Sequence, residues 1–213
     1  MPGHGDGAVL ITGASAGIGR AFSHAFAQRG HDLVLMARRE GPLQELADAL
    51  VSAHGVSVTT IPADLSEPAT PERLWQELAE RQIEIGGLVN NAVGVPDALS
   101  EVDWARHRAC LEVMAVAPVH LTKLFAPTMV RRGCGMIINV TSLSAFLPPH
   151  AGGGTLYYPV KSFLLQFSLA MREELRSGGV HVTALCPGFA AGGNGPEDYI
   201  PHLADFVARR NGL

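Results

Sequence analysis

Residues 12–19 read Thr12-Gly13-Ala14-Ser15-Ala16-Gly17-Ile18-Gly19, directly after an apolar run and at the head of a helix-like segment. Glycines suit a turn that must be tight, let backbone approach a ligand, and pack a helix closely on a strand. The helix end then offers unpaired N–H groups and partial positive charge to phosphate. A glycine-rich turn that binds nothing is the alternative, and the position after the first strand weighs against it. The second apolar run ends in Met36-Ala37-Arg38-Arg39. No carboxylate stands there to bond a ribose 2′-hydroxyl, whereas two guanidinium groups suit a 2′-phosphate. The expected ligand is therefore NADP(H), with Gly13, Ser15, Gly17, Ile18, Gly19, Arg38 and Arg39 around it. A solvated basic helix start would read the same way at Arg38 and Arg39. Asp64-Leu65, after the third run, could bond an adenine amine or merely cap a turn.

A second group of residues could move protons. Tyr157 and Lys161 are four apart and so share one face of a helix. An ammonium beside a phenol favours the phenolate, which fits Tyr157 for proton transfer to or from a substrate oxygen. Ser142, at the end of the fifth apolar run, could hold that oxygen by a hydrogen bond. Taken alone, Tyr157-x-x-x-Lys161 is an ordinary helical pair. Tyr158, one residue along, points elsewhere and reads as packing or substrate wall.

These residues need a scaffold. The apolar runs at residues 8–12, 32–36, 56–61, 88–90, 136–140 and 180–185 are short, and none alternates cleanly with polar residues. Strands covered on both faces read this way, as in a parallel sheet. Between them, residues 18–29, 41–54, 71–81, 112–131 and 157–177 have helical character. The alternation predicts a doubly wound α/β sheet, three layers in α/β/α order, whose ligands lie beyond the strand carboxyl ends. With 213 residues and no linker, the chain is expected to be one domain spanning 1–213. A formal charge of −4 gives no reason to expect nucleic acid or an anionic membrane surface. Cys110, Cys134 and Cys186 are far apart, which fits neither a disulfide framework nor a zinc site. No signal segment and no apolar stretch approaching ~20 residues is evident, so a soluble, cytoplasmic protein without a metal is expected.

Taken together the motifs resemble the short-chain dehydrogenase/reductase family over residues 8–192. The resemblance rests on the turn at 12–19, Asn90-Asn91-Ala92, Asn139-Val140-Thr141-Ser142, Tyr157-x-x-x-Lys161 and Pro187-Gly188, in order and each placed near a strand end. It implies strand order 3-2-1-4-5-6 and an oxidoreductase acting on a hydroxyl or carbonyl group of a small molecule. It further implies Ser142, Tyr157 and Lys161 as catalytic residues, Lys161 also bonding the nicotinamide ribose. Asn91, Pro187 and Gly188 join the cofactor site by the same resemblance. Pairing through the two long helices implies a homodimer or homotetramer.

The chain departs from the family pattern at four places. Met114 stands where the family has an asparagine that supports a proton-relay water, and a thioether is no donor. Val93 occupies a glycine position, with Gly94 one place late. The segment between serine and tyrosine, with Gly152-Gly153-Gly154, is long by about two residues, so counting back selects Ser144 where strand context selects Ser142. Gly192 replaces a threonine, and only a short tail, helix-like near 200–209, follows, so the usual seventh strand is expected to be missing. His150, beside the expected cleft, reads as an exposed loop residue or a substrate contact. Two other functions stay open on these departures: a non-redox cyclase, dehydratase or isomerase, or a silent binding subunit.

Overall fold

The computed structural model describes residues 7–94, 102–148 and 155–188. Six strands, β1 (Ala8–Thr12), β2 (Leu33–Ala37), β3 (Val58–Pro62), β4 (Ile85–Asn90), β5 (Gly135–Val140) and β6 (Val180–Leu185), form one sheet in the order β3-β2-β1-β4-β5-β6. Every pairing is parallel. Strands β1, β2, β4 and β5 are buried along their full length, which is why their sequences are continuously apolar rather than alternating. Strand order reverses between β1 and β4, and there the crevice of a doubly wound sheet opens.

Helices α1 (Gly17–Ala27) and α2 (Glu40–His54) cover one face, with Phe22, Phe26, Leu43 and Leu50 packed on Val9, Ile11 and Leu35. Helices α3 (Thr70–Glu80), α5 (Ala117–Arg132) and α6 (Tyr157–Leu175) lie on the other, where Leu74, Leu121 and Phe125 meet Leu10, Val34 and Leu88. Each such side chain, fully buried, contributes on the order of 1.5–3 kcal/mol. The expected helices are all present, and two features are additional. A helix α4 (Trp104–Leu111) precedes α5, and a wide, π-helical turn over Glu112–Val116 joins them. In that turn the Ala117 N–H reaches back five residues to Glu112 O, and Pro118 has no N–H to return to Met114 O. By length and composition the run Trp104–Arg132 is apolar enough to cross a membrane. Its apolar face is spent on the sheet instead, with Leu121, Phe125 and Met129 buried. His150, Gly152-Gly153-Gly154, Gly192, the tail and the question of a seventh strand lie outside the described residues.

Candidate active site

Thr12 ends β1 and ties the crevice together. Its buried hydroxyl donates to Val89 O (3.2 Å) and accepts from the backbone N–H groups of Asn91 (3.0 Å) and Ala92 (3.1 Å). The Asn91 amide answers by donating to Thr12 O (2.9 Å) and Gly13 O (3.2 Å). Asn91 lines the cleft, yet its side-chain donors are used to hold the glycine turn in shape. Within the turn the glycines divide their duties. Gly13 has φ +66, and a Cβ there would sit 3.0 Å from both Ala92 Cα and the Asn91 amide nitrogen. Gly17 has φ +52, and a Cβ there would meet nothing within 4 Å, so that side of the turn is open to the cleft. Gly19 stands apart from the other two. It does not line the cleft; a Cβ on it would fall 2.3 Å from Gly13 O and 2.6 Å from the Asn91 amide, so this glycine serves close packing of helix on turn.

The cleft has a volume of about 860 Å³ and runs along the carboxyl ends of the strands. At one end are Arg38, Arg39, Asp64 and Leu65, at the ends of β2 and β3, with Ser15, Gly17 and Ile18 at the head of α1 beside them. Both arginines are exposed. One Asp64 oxygen accepts from Ser66 N (2.9 Å), the turn contact that sequence allowed as the alternative to an adenine contact. Among the described residues four cations (Arg38, Arg39, Arg106 and Lys161) and one carboxylate (Asp64) line the cleft of a chain with net charge −4. Positive charge gathered in a concave site attracts anions.

At the other end are Ser142, Tyr157, Lys161, Pro187 and Gly188. Two bonds across the strand ends, Thr141 N to Leu185 O (2.7 Å) and Leu143 N to Pro187 O (2.8 Å), bring the last two beside Ser142. The Ser142 Oγ accepts from Ser144 N (3.1 Å) as a short 3₁₀ turn, Leu143–Phe146, begins, which leaves its O–H directed to another partner. Ser144 does not line the cleft; it is buried, and its Oγ has no hydrogen-bond partner among the described residues. Strand-end context, not loop counting, thus identifies the serine that faces the cleft. Behind it, Asn139 accepts from the Asn90 amide (2.8 Å) and donates to Ser168 Oγ (2.9 Å), a buried network joining β4, β5 and α6.

Lys161 is 4 % exposed; its Nζ donates to Val140 O (2.8 Å) and lies 5.7 Å from the centroid of the Tyr157 ring. Burial pulls its amine down to about 8, against the opposing influence of Cys110 and Cys186. Tyr158 is buried edge-on against Tyr157 and does not line the cleft, so it packs. Met114 is 1 % exposed in an apolar cluster with Cys110 and Val160. Val93 is 59 % exposed and lines the cleft. The displaced Gly94 has a different use: a Cβ there would lie 3.1 Å from Cys110 Cα, so it admits α4. Helix α4 also carries the lining residues that the sequence did not announce, Arg106, Ala109 and Cys110. Only His107 and Cys110 of α4 are buried, so no apolar stripe marked it.

The residues present fit a phosphorylated dinucleotide: an uncapped helix N-terminus behind an open glycine, two arginines at the second strand end, and a buried lysine beside a tyrosine at the far end. Known proteins resemble this chain in sequence and fold. The short chain dehydrogenase family pattern matches residues 7–195. The NADP-dependent 3-hydroxy acid dehydrogenase YdfG of Escherichia coli (strain K12) is 34% identical over 189 residues, covering 86% of this chain and 73% of that protein. Sulfoacetaldehyde reductase 2 of Chromohalobacter salexigens is 35% identical over 85% of this chain and 72% of that protein. Among solved structures, a short-chain dehydrogenase from Sphingobium yanoikuyae in complex with NADPH superposes with a TM-score of 0.83 at 32% identity, over 96% of this chain and 85% of that one. The bulky-bulky ketone specific alcohol dehydrogenase from Comamonas testosteroni gives 0.87 at 30% identity, over 97% and 84%. With the sheet order, the glycine turn and the serine, tyrosine and lysine in one cleft, this chain belongs to the short-chain dehydrogenase family.

Proposed function

We propose that this chain is an NADP(H)-dependent oxidoreductase that reduces a carbonyl, or oxidises a hydroxyl, of a small organic molecule. The observation that carries the reading is the convergence of Ser142, Tyr157 and Lys161 at one end of a cleft whose other end presents Arg38 and Arg39. Two relatives, named for NADP-dependent 3-hydroxy acid dehydrogenation and sulfoacetaldehyde reduction, support it.

Arg38 and Arg39 would hold the 2′-phosphate, Gly13, Ser15, Gly17 and Ile18 the pyrophosphate, and Asp64, Leu65 and Asn91 the adenosine side, with Pro187 and Gly188 near the nicotinamide. Bound NADPH supplies the hydride. Ser142, its oxygen already accepting from Ser144 N, donates its O–H to the substrate carbonyl and fixes it beside Tyr157. The Tyr157 O–H delivers the proton to that oxygen. Lys161, anchored on Val140 O, keeps positive charge against the Tyr157 ring and stabilises the phenolate left behind.

In this reading residues 1–213 act as one domain in the cytoplasm, assembled as a homodimer or homotetramer through the long helices. Exposed Val116, Phe163 and Leu169 on those helices support such pairing. A non-redox reaction on the same scaffold is the second reading, favoured by Met114, a buried thioether packed with Cys110 and Val160 where the family pattern has an asparagine. Fluorescence titration with NADPH, then a panel of ketones and aldehydes, tests both. Binding with turnover supports the first reading. Binding without turnover of any carbonyl, together with conversion of a substrate lacking net redox change, overturns it.

A further inference from the structure

A serine inside a helix commonly turns its hydroxyl back to the carbonyl four residues earlier. Ser23 does so to Gly19 O (2.9 Å) and Ser168 to Leu164 O (2.6 Å). Ser162 does not. Its hydroxyl leaves α6 and donates to Ala145 O (3.1 Å), in the 3₁₀ turn that follows Ser142. The residue before it, Lys161, donates from the same helix to Val140 O (2.8 Å), at the end of β5. Two consecutive side chains of α6 therefore grip an arc of chain at Val140 and Ala145, and Ser142 lies between the two grips. Tyr157 stands one turn before them on the helix that grips.

Leu143, Phe146 and Leu147 are exposed, so burial of large apolar side chains does little to hold the turn. Hydrogen bonds fix it instead. Toward β6, Thr141 N reaches Leu185 O (2.7 Å) and Leu143 N reaches Pro187 O (2.8 Å). Within the turn, Ser144 N reaches Ser142 Oγ (3.1 Å) and Ala145 N reaches Ser142 O (3.1 Å). These four bonds set the arc against β6 and against itself, and none of them sets it against α6, which carries Tyr157. The bond from Ser162 does. Ala145 is the link, since Ser162 holds its carbonyl while its N–H closes on Ser142 O.

We propose that Ser162 is a positioning residue that holds Ser142 in register with Tyr157 through Ala145. The kinetic consequence rests on the oxidoreductase reading, but the tether does not. In that reading the hydroxyls of Ser142 and Tyr157 meet the same substrate oxygen, so their separation must be kept, and displacing either donor lowers the rate.

Ser162→Ala deletes one oxygen and leaves a good helix former, and thermal unfolding checks that the fold is kept. Peptide-resolved hydrogen exchange over residues 142–147 reads the tether without turnover. Exchange there is expected to rise roughly two- to tenfold, the worth of one hydrogen bond, with residues 8–12 of β1 unchanged. Unmoved exchange in the turn overturns the proposal. A double-mutant cycle on carbonyl reduction reads the positioning. Ser162→Ala alone should lower kcat/KM roughly two- to tenfold, with NADPH affinity at its wild-type value. In the Ser142→Ala background the same substitution should change nothing further, because the hydroxyl it positions is gone. A merely structural role would act in either background. Equal losses in both, or no loss in the wild-type background, therefore overturn the proposal. Absence of turnover in the wild type sinks the oxidoreductase reading and leaves the exchange result to decide the tether.

Discussion

The Nζ of Lys161 lies 5.7 Å from the centroid of the Tyr157 ring while donating a 2.8 Å hydrogen bond to Val140 O. The lysine is thus fixed to the end of β5 and held near the tyrosine ring. Its amine titrates near 8 rather than at the ordinary 10.5, because burial disfavours the charge. The ammonium is present below about 8 and is lost above it, so kcat for carbonyl reduction should decline as pH rises through that value. Between about 8 and 10.5 the unfolded chain binds more protons here than the folded one, so this residue makes stability rise with pH in that window. Urea unfolding at several pH values should show the rise in wild type and its loss in Lys161→Met.

Tyr157→Phe removes the proton donor and little else from a half-buried site. Carbonyl reduction should fall on the order of 10²–10⁴-fold, while NADPH affinity by fluorescence titration stays close to wild type. A variant that retains turnover would move the proton source elsewhere.

Arg38→Ala and Arg39→Ala should weaken NADPH and leave NADH nearly untouched. A charge-assisted hydrogen bond is worth about 1.5–3 kcal/mol, or roughly tenfold to a hundredfold in Kd for a single lost contact. Parallel titration with both dinucleotides reads this directly; equal losses for the two would mean that the arginines do not face the 2′-phosphate.

Ser142→Ala and Ser144→Ala should separate cleanly. The first should lower kcat/KM for a carbonyl substrate. The second removes a buried hydroxyl that has no partner among the described residues, so it should keep activity and match or exceed wild-type thermal stability. The reverse pattern would assign the substrate contact to Ser144.

Gly19→Ala should damage the turn more than its exposure suggests. The new Cβ meets Gly13 O and the Asn91 amide, both backbone-anchored, so the turn must open and NADPH binding should be lost together with some stability. Near-normal NADPH affinity in this variant would show that the turn can yield without cost.

Much of this protein was legible in its residues alone. Strands buried on both faces write themselves as apolar runs, and the glycine turn after β1 and Pro187-Gly188 after β6 mark strand ends, because these signals are local in the chain. The six strands and the parallel, doubly wound sheet followed from them, while the strand order came from the family resemblance. Helix α4 did not, since its buried residues are a histidine and a cysteine rather than an apolar stripe.

What only the tertiary structure decided are contacts between segments distant in sequence. Spacing could not separate Ser142 from Ser144; the cross-strand bonds to Leu185 and Pro187 do, by fixing how the end of β5 turns into the cleft. Composition could not tell that Gly19 packs against Asn91, that Gly94 admits Cys110, or that Lys161 is buried enough to titrate near 8. Each of these depends on which atoms a residue meets across the fold. A sequence specifies the chemistry a side chain can perform, and its surroundings in three dimensions determine whether that side chain packs, holds a turn or faces the substrate.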